Sequence, residues 1–310
     1  MTIDRDKETL MESRACRFFL TFCLVFQLLL LIPGPALAET DTVIIGLIPE
    51  MNVFKQQERF LPLARYLSEK TDVDFKLTML SRYGNIIERF KSEKIDAAFL
   101  GSFTGALTIL QLQAEPLARP VNMDGTSTYF GNIFVRSDSG INSAADMKGK
   151  VLALVERATT AGYIFPRAWL KQQGVNDLGS HFKELFFAGS HDATIYAVLN
   201  GEADVGAGKN TIFDRVRQED PRVDNEIKIL ASSPRFPSNG LCVRAGLDDK
   251  LKKQIKKVLL EMHSSNEGRL VLEKFGAQRF VETRKEDYQP VIDMAAEAGI
   301  ELMDYQYFNP

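Results

Sequence analysis

The chain is poor in cysteine, with three in 310 residues: Cys16, Cys23 and Cys242. The first two lie in an N-terminal segment expected to be removed, so one remains and no internal disulfide can brace the rest. Histidine is equally scarce. His181, His191 and His263 are scattered and lack metal-ligand spacing with cysteines, so no metal site is predicted. Positive charge is not in surplus: 38 Lys and Arg face 41 Asp and Glu, a formal net charge of -3. That excludes the basic footprint of a nucleic-acid binder or of an anionic-lipid binder. An anionic small ligand must then be held by local groups. No low-complexity stretch or long linker interrupts the chain. No activated nucleophile or paired acid and base marks an enzyme, so no catalytic residue and no cofactor is predicted.

One apolar run is present. Phe18 to Ile32 is broken only by Thr21 and Gln27, with Arg14 and Arg17 before it and Pro33-Gly34-Pro35 after it. Ala36-Leu37-Ala38 then forms a small-residue cleavage site. The run is short for a spanning helix, which needs about 20 apolar residues. Residues 1–38 therefore read as a secretory signal cleaved after Ala38, with Met11 an alternative start. No cysteine stands at the cleavage point, which argues against a lipid anchor. The segment carries four acidic and four basic residues, so the charge stays at -3 without it.

The remainder alternates strand and helix. Thr42–Leu47 is an apolar, β-branched run, and Phe75–Leu80 and Ile95–Leu100 read as a second and third strand. Between them, Phe60, Leu63, Ala64 and Leu67, then Ile86, Ile87 and Phe90, recur at helical spacing. This order predicts a parallel sheet covered by helices. The pattern restarts with strands at Asn132–Arg136, Val151–Val155, Glu184–Phe187 and Ala203–Ala207, and helices at about Thr160–Gln173 and Ala193–Leu199. Lys94-Ile95-Asp96-Ala97-Ala98 in the first half echoes Glu202-Ala203-Asp204-Val205-Gly206 in the second. The C-terminal part reads as helices at Leu251–His263, Arg269–Phe275 and Tyr288–Ala298, too few strands for a lobe of its own. It is expected to pack back on the first lobe, with crossings near Tyr129–Asn132 and Ser232–Gly240. The predicted lobes are 39–130 with 239–310, and 131–238. Two crossings make a hinge, and a hinge between lobes makes a ligand cleft.

Three segments follow strands and open helices. Glu156-Arg157-Ala158-Thr159-Thr160-Ala161-Gly162 combines free helix-start amides, two hydroxyls and small residues. It fits an oxyanion cradle or an ordinary threonine cap. Gly189-Ser190-His191-Asp192 offers a histidine donor, titrating near neutrality, or a helix-capping loop. Leu100-Gly101-Ser102-Phe103-Thr104-Gly105 ends the third strand, where open parallel sheets bind ligands. Two decoys fail. Gly206-Ala207-Gly208-Lys209-Asn210 lacks the P-loop's earlier glycine and its Ser or Thr after the lysine. The centre of Gly101–Gly105 is Phe103, so it is not a nucleophile elbow. Arg82 and Arg89 read as solvated charges.

From about Val43 to Ile300 the chain resembles the phosphonate/phosphite/phosphate-binding periplasmic components of ABC transporters. The marks are Arg82-Tyr83-Gly84-Asn85-Ile86-Ile87, Ile95 to Gly101, Ser139-Gly140-Ile141, Asp146 to Lys150, Thr159 to Pro166, Gly189 to Asp192 and Ser233 to Pro237. The resemblance implies an α/β type II periplasmic-binding-protein fold with two lobes joined by a two-strand hinge. Its Ser-Thr-Ser oxyanion loop reads Thr159-Thr160-Ala161 here, its ligand histidine matches His191, and its pocket tyrosine matches Tyr83. The expected ligand shell is Thr159, Thr160, Ala161 and Gly162 with His191 on one lobe, and Tyr83, Ser102, Thr104 and Asn239 on the other side. Two carboxylates that hold an ammonium in aminophosphonate binders fall on Thr211 and Asn239, both neutral. A pocket tyrosine is replaced by Leu100. The resemblance therefore implies a ligand without an amine: phosphite, phosphate, methylphosphonate or another small oxyanion. The implied partner is an inner-membrane ABC permease or, as an alternative, a sensor-kinase or chemoreceptor ectodomain, engaged by a monomer.

Overall fold

In residues 42–309, which the computed structural model describes, the alternating runs form two sheets and a short ribbon. The predicted signal segment and its cleavage point lie outside the described residues. In chain order the strands are β1 (Thr42–Leu47), β2 (Asp74–Met79), β3 (Ala97–Leu100), β4 (Glu115–Asn122), β5 (Thr128–Tyr129), β6 (Gly131–Arg136) and β7 (Val151–Leu154). They continue as β8 (Glu184–Phe187), β9 (Val205–Lys209), β10 (Ile227–Ser232), β11 (Phe236–Pro237), β12 (Gly240–Val243) and β13 (Ala277–Glu282).

The first sheet has the order β13-β4-β12-β3-β1-β2, the second β10-β6-β9-β7-β8. In each, a first strand lies between two parallel partners: β1 between β2 and β3, and β7 between β8 and β9. An antiparallel strand then flanks the third, β12 on β3 and β6 on β9. The repeated Asp motif has a physical basis in this plan. Asp96 accepts a hydrogen bond from the Ile44 N–H of β1 at 2.9 Å, and Asp204 accepts one from the Val151 N–H of β7 at 2.8 Å. Each carboxylate satisfies a strand-end amide that would otherwise lack a partner.

The helix Val53–Thr71 starts under an Asn52 cap and covers one face of the first sheet. Its buried Phe60, Leu63, Ala64 and Leu67 form the stripe read from the sequence. Full burial of each larger side chain stabilises the fold by roughly 1.5–3 kcal/mol. Phe60 meets Phe99 and Phe275 edge-on, each at 5.1 Å between ring centroids, and Phe280 lies 5.4 Å from Phe275. This aromatic knot binds β3, β13 and the C-terminal helices into one core.

The C-terminal part departs from expectation in two ways. It supplies β12 and β13, which complete the first sheet. Its helix Gln289–Glu297 does not pack on one side alone, because it touches both the helix Ser102–Leu112 and the helix Phe165–Gln172. The segment after it reaches the loop following β7: Tyr305 Oη donates to the Arg157 carbonyl, and the Arg157 N–H donates to Asn309 Oδ1, both at 3.0 Å. The chain passes between the sheets through β5 and β11, which pair antiparallel with Phe236 opposite Tyr129. The architecture is the two-lobed type II fold.

Candidate functional site

The carboxyl ends of the parallel strands face one another across the two sheets. From the first come Glu50 after β1, Tyr83 after β2 and Gly101 after β3; from the second, the Glu156–Gly162 loop after β7, His191 after β8 and Lys209 ending β9. They enclose a small cavity, with about 10 Å³ open to the centre of a water-sized sphere. That is room for about one water, so the cleft is nearly shut. Thr159, Thr160, Ala161, Tyr83, His191 and Asn239 all line it.

The loop after β7 ends in a wide π-helical turn, Thr160–Ile164, continued by the helix Phe165–Gln172. The Thr160 and Ala161 amides open this turn, where helical geometry supplies no acceptor. Thr159 donates its hydroxyl to the Glu156 carbonyl at 2.6 Å. The Thr160 hydroxyl accepts from the Phe103 N–H of the other lobe at 3.0 Å. Glu156 crosses the cleft as well, accepting from the Tyr83 N–H at 3.1 Å. Burial lifts its carboxyl to about 7, against the lowering effect of that bond.

His191 is buried and accepts a hydrogen bond at Nδ1 from the Lys209 N–H at 3.2 Å. Its proton then sits on Nε2. Burial pushes the ring's pKa down to about 3, so the imidazole is neutral. The expected titration near neutrality is corrected: a ring this buried, with Lys209 beside it, does not charge there. Tyr83 stands edge-on to His191, with ring centroids 6.2 Å apart. Its hydroxyl is buried and has no hydrogen-bond partner among the described residues. An unsatisfied buried hydroxyl costs about 1–3 kcal/mol.

Three expected ligand contacts are not brought to the cavity. Ser102 Oγ donates to the Pro237 carbonyl at 2.8 Å and lies 3.0 Å from Tyr129 Oη, so it ties a helix start to both ribbon strands. Thr104 donates to the Gly101 carbonyl within its own turn. Gly162 is glycine because the turn presses on β7: a Cβ there would lie 2.4 Å from the Val155 Cβ.

The sequence reading missed the charged groups. Lys209, set aside with the failed P-loop match, extends its ammonium to Glu50 Oε1 at 2.8 Å and Asn239 Oδ1 at 2.9 Å. It also lies 4.5 Å from the Tyr129 ring centre. Burial would raise the Glu50 carboxyl, but Lys209 and Arg59 more than offset it and hold it down at about 2. Glu50 is thus ionised and joined to Lys209 across the lobes. The signal that finds both residues is positional: each ends or follows a parallel strand at its carboxyl side.

Residues 45–288 match the family model described as ABC transporter, phosphonate, periplasmic substrate-binding protein. The chain is 23% identical over 267 residues to a probable ABC-transporter phosphite-binding protein of Prochlorococcus marinus, covering 83% of this chain and 90% of that one. It is 24% identical over 262 residues to the phosphonates-binding periplasmic protein of Escherichia coli, covering 83% of this chain and 77% of that one. Its fold superposes on the Prochlorococcus marinus protein in complex with methylphosphonate, with a TM-score of 0.74 at 21% identity, over 84% of this chain and 98% of that one. With that match spanning most of its length and both lobes of its fold, the chain belongs to the family of periplasmic substrate-binding proteins of phosphonate ABC transporters.

Proposed function

We propose that this protein captures a small phosphorus oxyanion without an amine, of the phosphite, phosphate or methylphosphonate kind, and presents it to an ABC permease. The single observation that carries the reading is a convergence of donors on one small cavity. The helix-start amides of Thr160 and Ala161, a neutral His191 with its proton on Nε2, and the partnerless Tyr83 hydroxyl all belong to its walls. Such a set suits negative charge spread over several oxygens. The similarity to proteins named for phosphite and phosphonate binding supports the same ligand class.

In this reading Thr159, Thr160 and Ala161 form the cradle, with His191, Tyr83 and Asn239 around it. The lobes are residues 39–130 with 239–310, and residues 131–238, hinged at β5 and β11. The mature chain, cleaved after Ala38, acts as a periplasmic monomer and as a carrier, not an enzyme. An amine is disfavoured because Thr211 and Asn239 are neutral and the Glu50 carboxylate that lines the cavity is already engaged by Lys209; a second buried ammonium would lack a partner of its own.

Titration calorimetry on the mature chain tests this. Methylphosphonate should bind at least as tightly as 2-aminoethylphosphonate, and Thr160→Ala should weaken it at least tenfold, about 1.4 kcal/mol. A clear preference for the amine would contradict the assignment, and unchanged affinity in the variant would remove the Thr160 hydroxyl from the cradle.

A further inference from the structure

Next to the cradle cavity lies a second one, sharing Glu50, Lys209 and Asn239 with it and adding Arg59 and Arg215. Arg59 comes from the helix Val53–Thr71 of one lobe and Arg215 from the helix Asn210–Glu219 of the other. Neither arginine reaches the cradle cavity itself. The group holds three cations and one carboxylate, an excess of two positive charges in a largely buried place.

The excess has no counter-ion among the described residues. Glu50 is engaged by Lys209 at 2.8 Å and lies 4.0 Å from Arg59. Arg59 otherwise donates Nε to the Phe275 carbonyl at 2.6 Å. Arg215 reaches only the Met51 sulfur, at 3.8 Å. Glu219, the other carboxylate near Arg215, is paired with Lys55. Like charges brought together away from water repel strongly unless an anion lies between them. Burial, and to a lesser degree the neighbouring Arg215, pull the Arg59 guanidinium down to about 9.

Beyond the arginines the space widens into a solvent-facing groove lined by Lys55, Arg65 and Lys274 and by Glu58, Asp192 and Glu219. The groove is mixed in charge, so the unbalanced positive charge is confined to Arg59, Arg215 and Lys209 beside the cradle. The protein's net charge is -3, so this excess is local. Thr211 and Asn239, which replace the expected carboxylates, line the same second cavity.

We propose that this second cavity is an anion subsite for the far end of the ligand, so that the protein prefers phosphonates whose carbon chain ends in a carboxylate. The inference rests on the oxyanion reading given above. The phosphonate group occupies the cradle, and the carboxylate lies between Arg59 and Arg215, drawing the two lobes together. Arg215 is the specificity-determining residue, because its guanidinium has no other anionic partner.

Calorimetry with methylphosphonate, phosphonoacetate and 3-phosphonopropionate on the mature wild-type chain and on Arg215→Gln tests the subsite. At least one phosphonocarboxylate should bind ten times more tightly than methylphosphonate to the wild type, and that ratio should fall below about three in the variant, a loss of roughly 0.7 kcal/mol or more. Ligand-free Arg215→Gln should melt no lower than the wild type, since it relieves repulsion. Equal affinities for all three compounds in the wild type, a ratio unchanged by the substitution, or a variant that melts well below the wild type would each overturn the subsite. Binding of methylphosphonate without any phosphonocarboxylate advantage removes the subsite alone. If neither these three nor phosphite nor phosphate binds, the oxyanion reading falls and takes the subsite with it.

Discussion

The two ends of the cleft use opposite physics. At the cradle, Thr159 to Ala161, Tyr83 and the neutral His191 present hydroxyls, amides and an N–H with no net charge among them. At the other end, Arg59 and Arg215 join Glu50 and Lys209, which line both cavities, and concentrate charge where water is scarce. Neutral donors set in place hold an oxyanion by direction and shape. Breaking a buried ion pair is expensive. In the proposed reading the cradle end governs which headgroup fits, and the charged end governs how firmly the lobes stay together.

The sharpest way to break this contrast is Lys209→Met. It leaves the buried Glu50 with only the more distant Arg59, a loss on the order of 3–5 kcal/mol for a severed buried pair. Glu50 and Lys209 sit on different lobes, so the chain escapes the cost by opening and hydrating the carboxylate. Small-angle scattering should show a larger radius of gyration for the ligand-free variant than for the wild type. An unchanged radius would mean that the pair does not hold the lobes.

A smaller effect is expected at the neutral end. Tyr83→Phe removes a hydroxyl that has no partner in the ligand-free protein. Stability should hold or rise by up to about 1 kcal/mol, while methylphosphonate binding weakens roughly tenfold. Thermal melting and calorimetry on one preparation separate the two effects, and lost stability with unchanged binding would assign the hydroxyl to the core.

A separate effect belongs to pH. Burial raises Glu156 from 4.5 to about 7, so between those values the folded protein keeps a proton that the unfolded chain has lost. This residue's contribution to stability therefore declines as pH climbs from 4.5 to 7 and is level above that. Glu156→Gln should melt above the wild type at pH 8, with the gap shrinking as pH falls to 5. A gap that does not change with pH would show that the carboxyl is not perturbed.

Much of the fold was legible because its signals are local. The apolar runs of β1, β3 and β7 and the Phe60–Leu67 stripe each speak for themselves. The echo between Asp96 and Asp204 is short, yet it marks equivalent strands with the same strand-end hydrogen bond. The strand β4 was hidden by Pro116 and Pro120, which argue against a strand within a sheet. The sheet accommodates them with irregular register on both sides, between Leu241 and Cys242 and between Ala277 and Arg279.

At the site, the Thr159–Ala161 stretch stood out because its hydroxyls and small residues are contiguous, and it does line the cavity. Ser102 and Thr104 shared that composition but serve the ribbon and a local turn, a distinction that only packing makes. Lys209 and Glu50 are 159 positions apart, and no pattern along the chain joins them. The pairing exists only because two sheets of the same plan turn their carboxyl ends toward each other.

The most direct measurement is a crystal structure of the mature chain with methylphosphonate. The account predicts the phosphorus between the lobes, with its oxygens on the Thr160 and Ala161 amides and within reach of Tyr83 Oη and His191 Nε2. Density for the compound anywhere else, with those four groups left without it, would contradict the account.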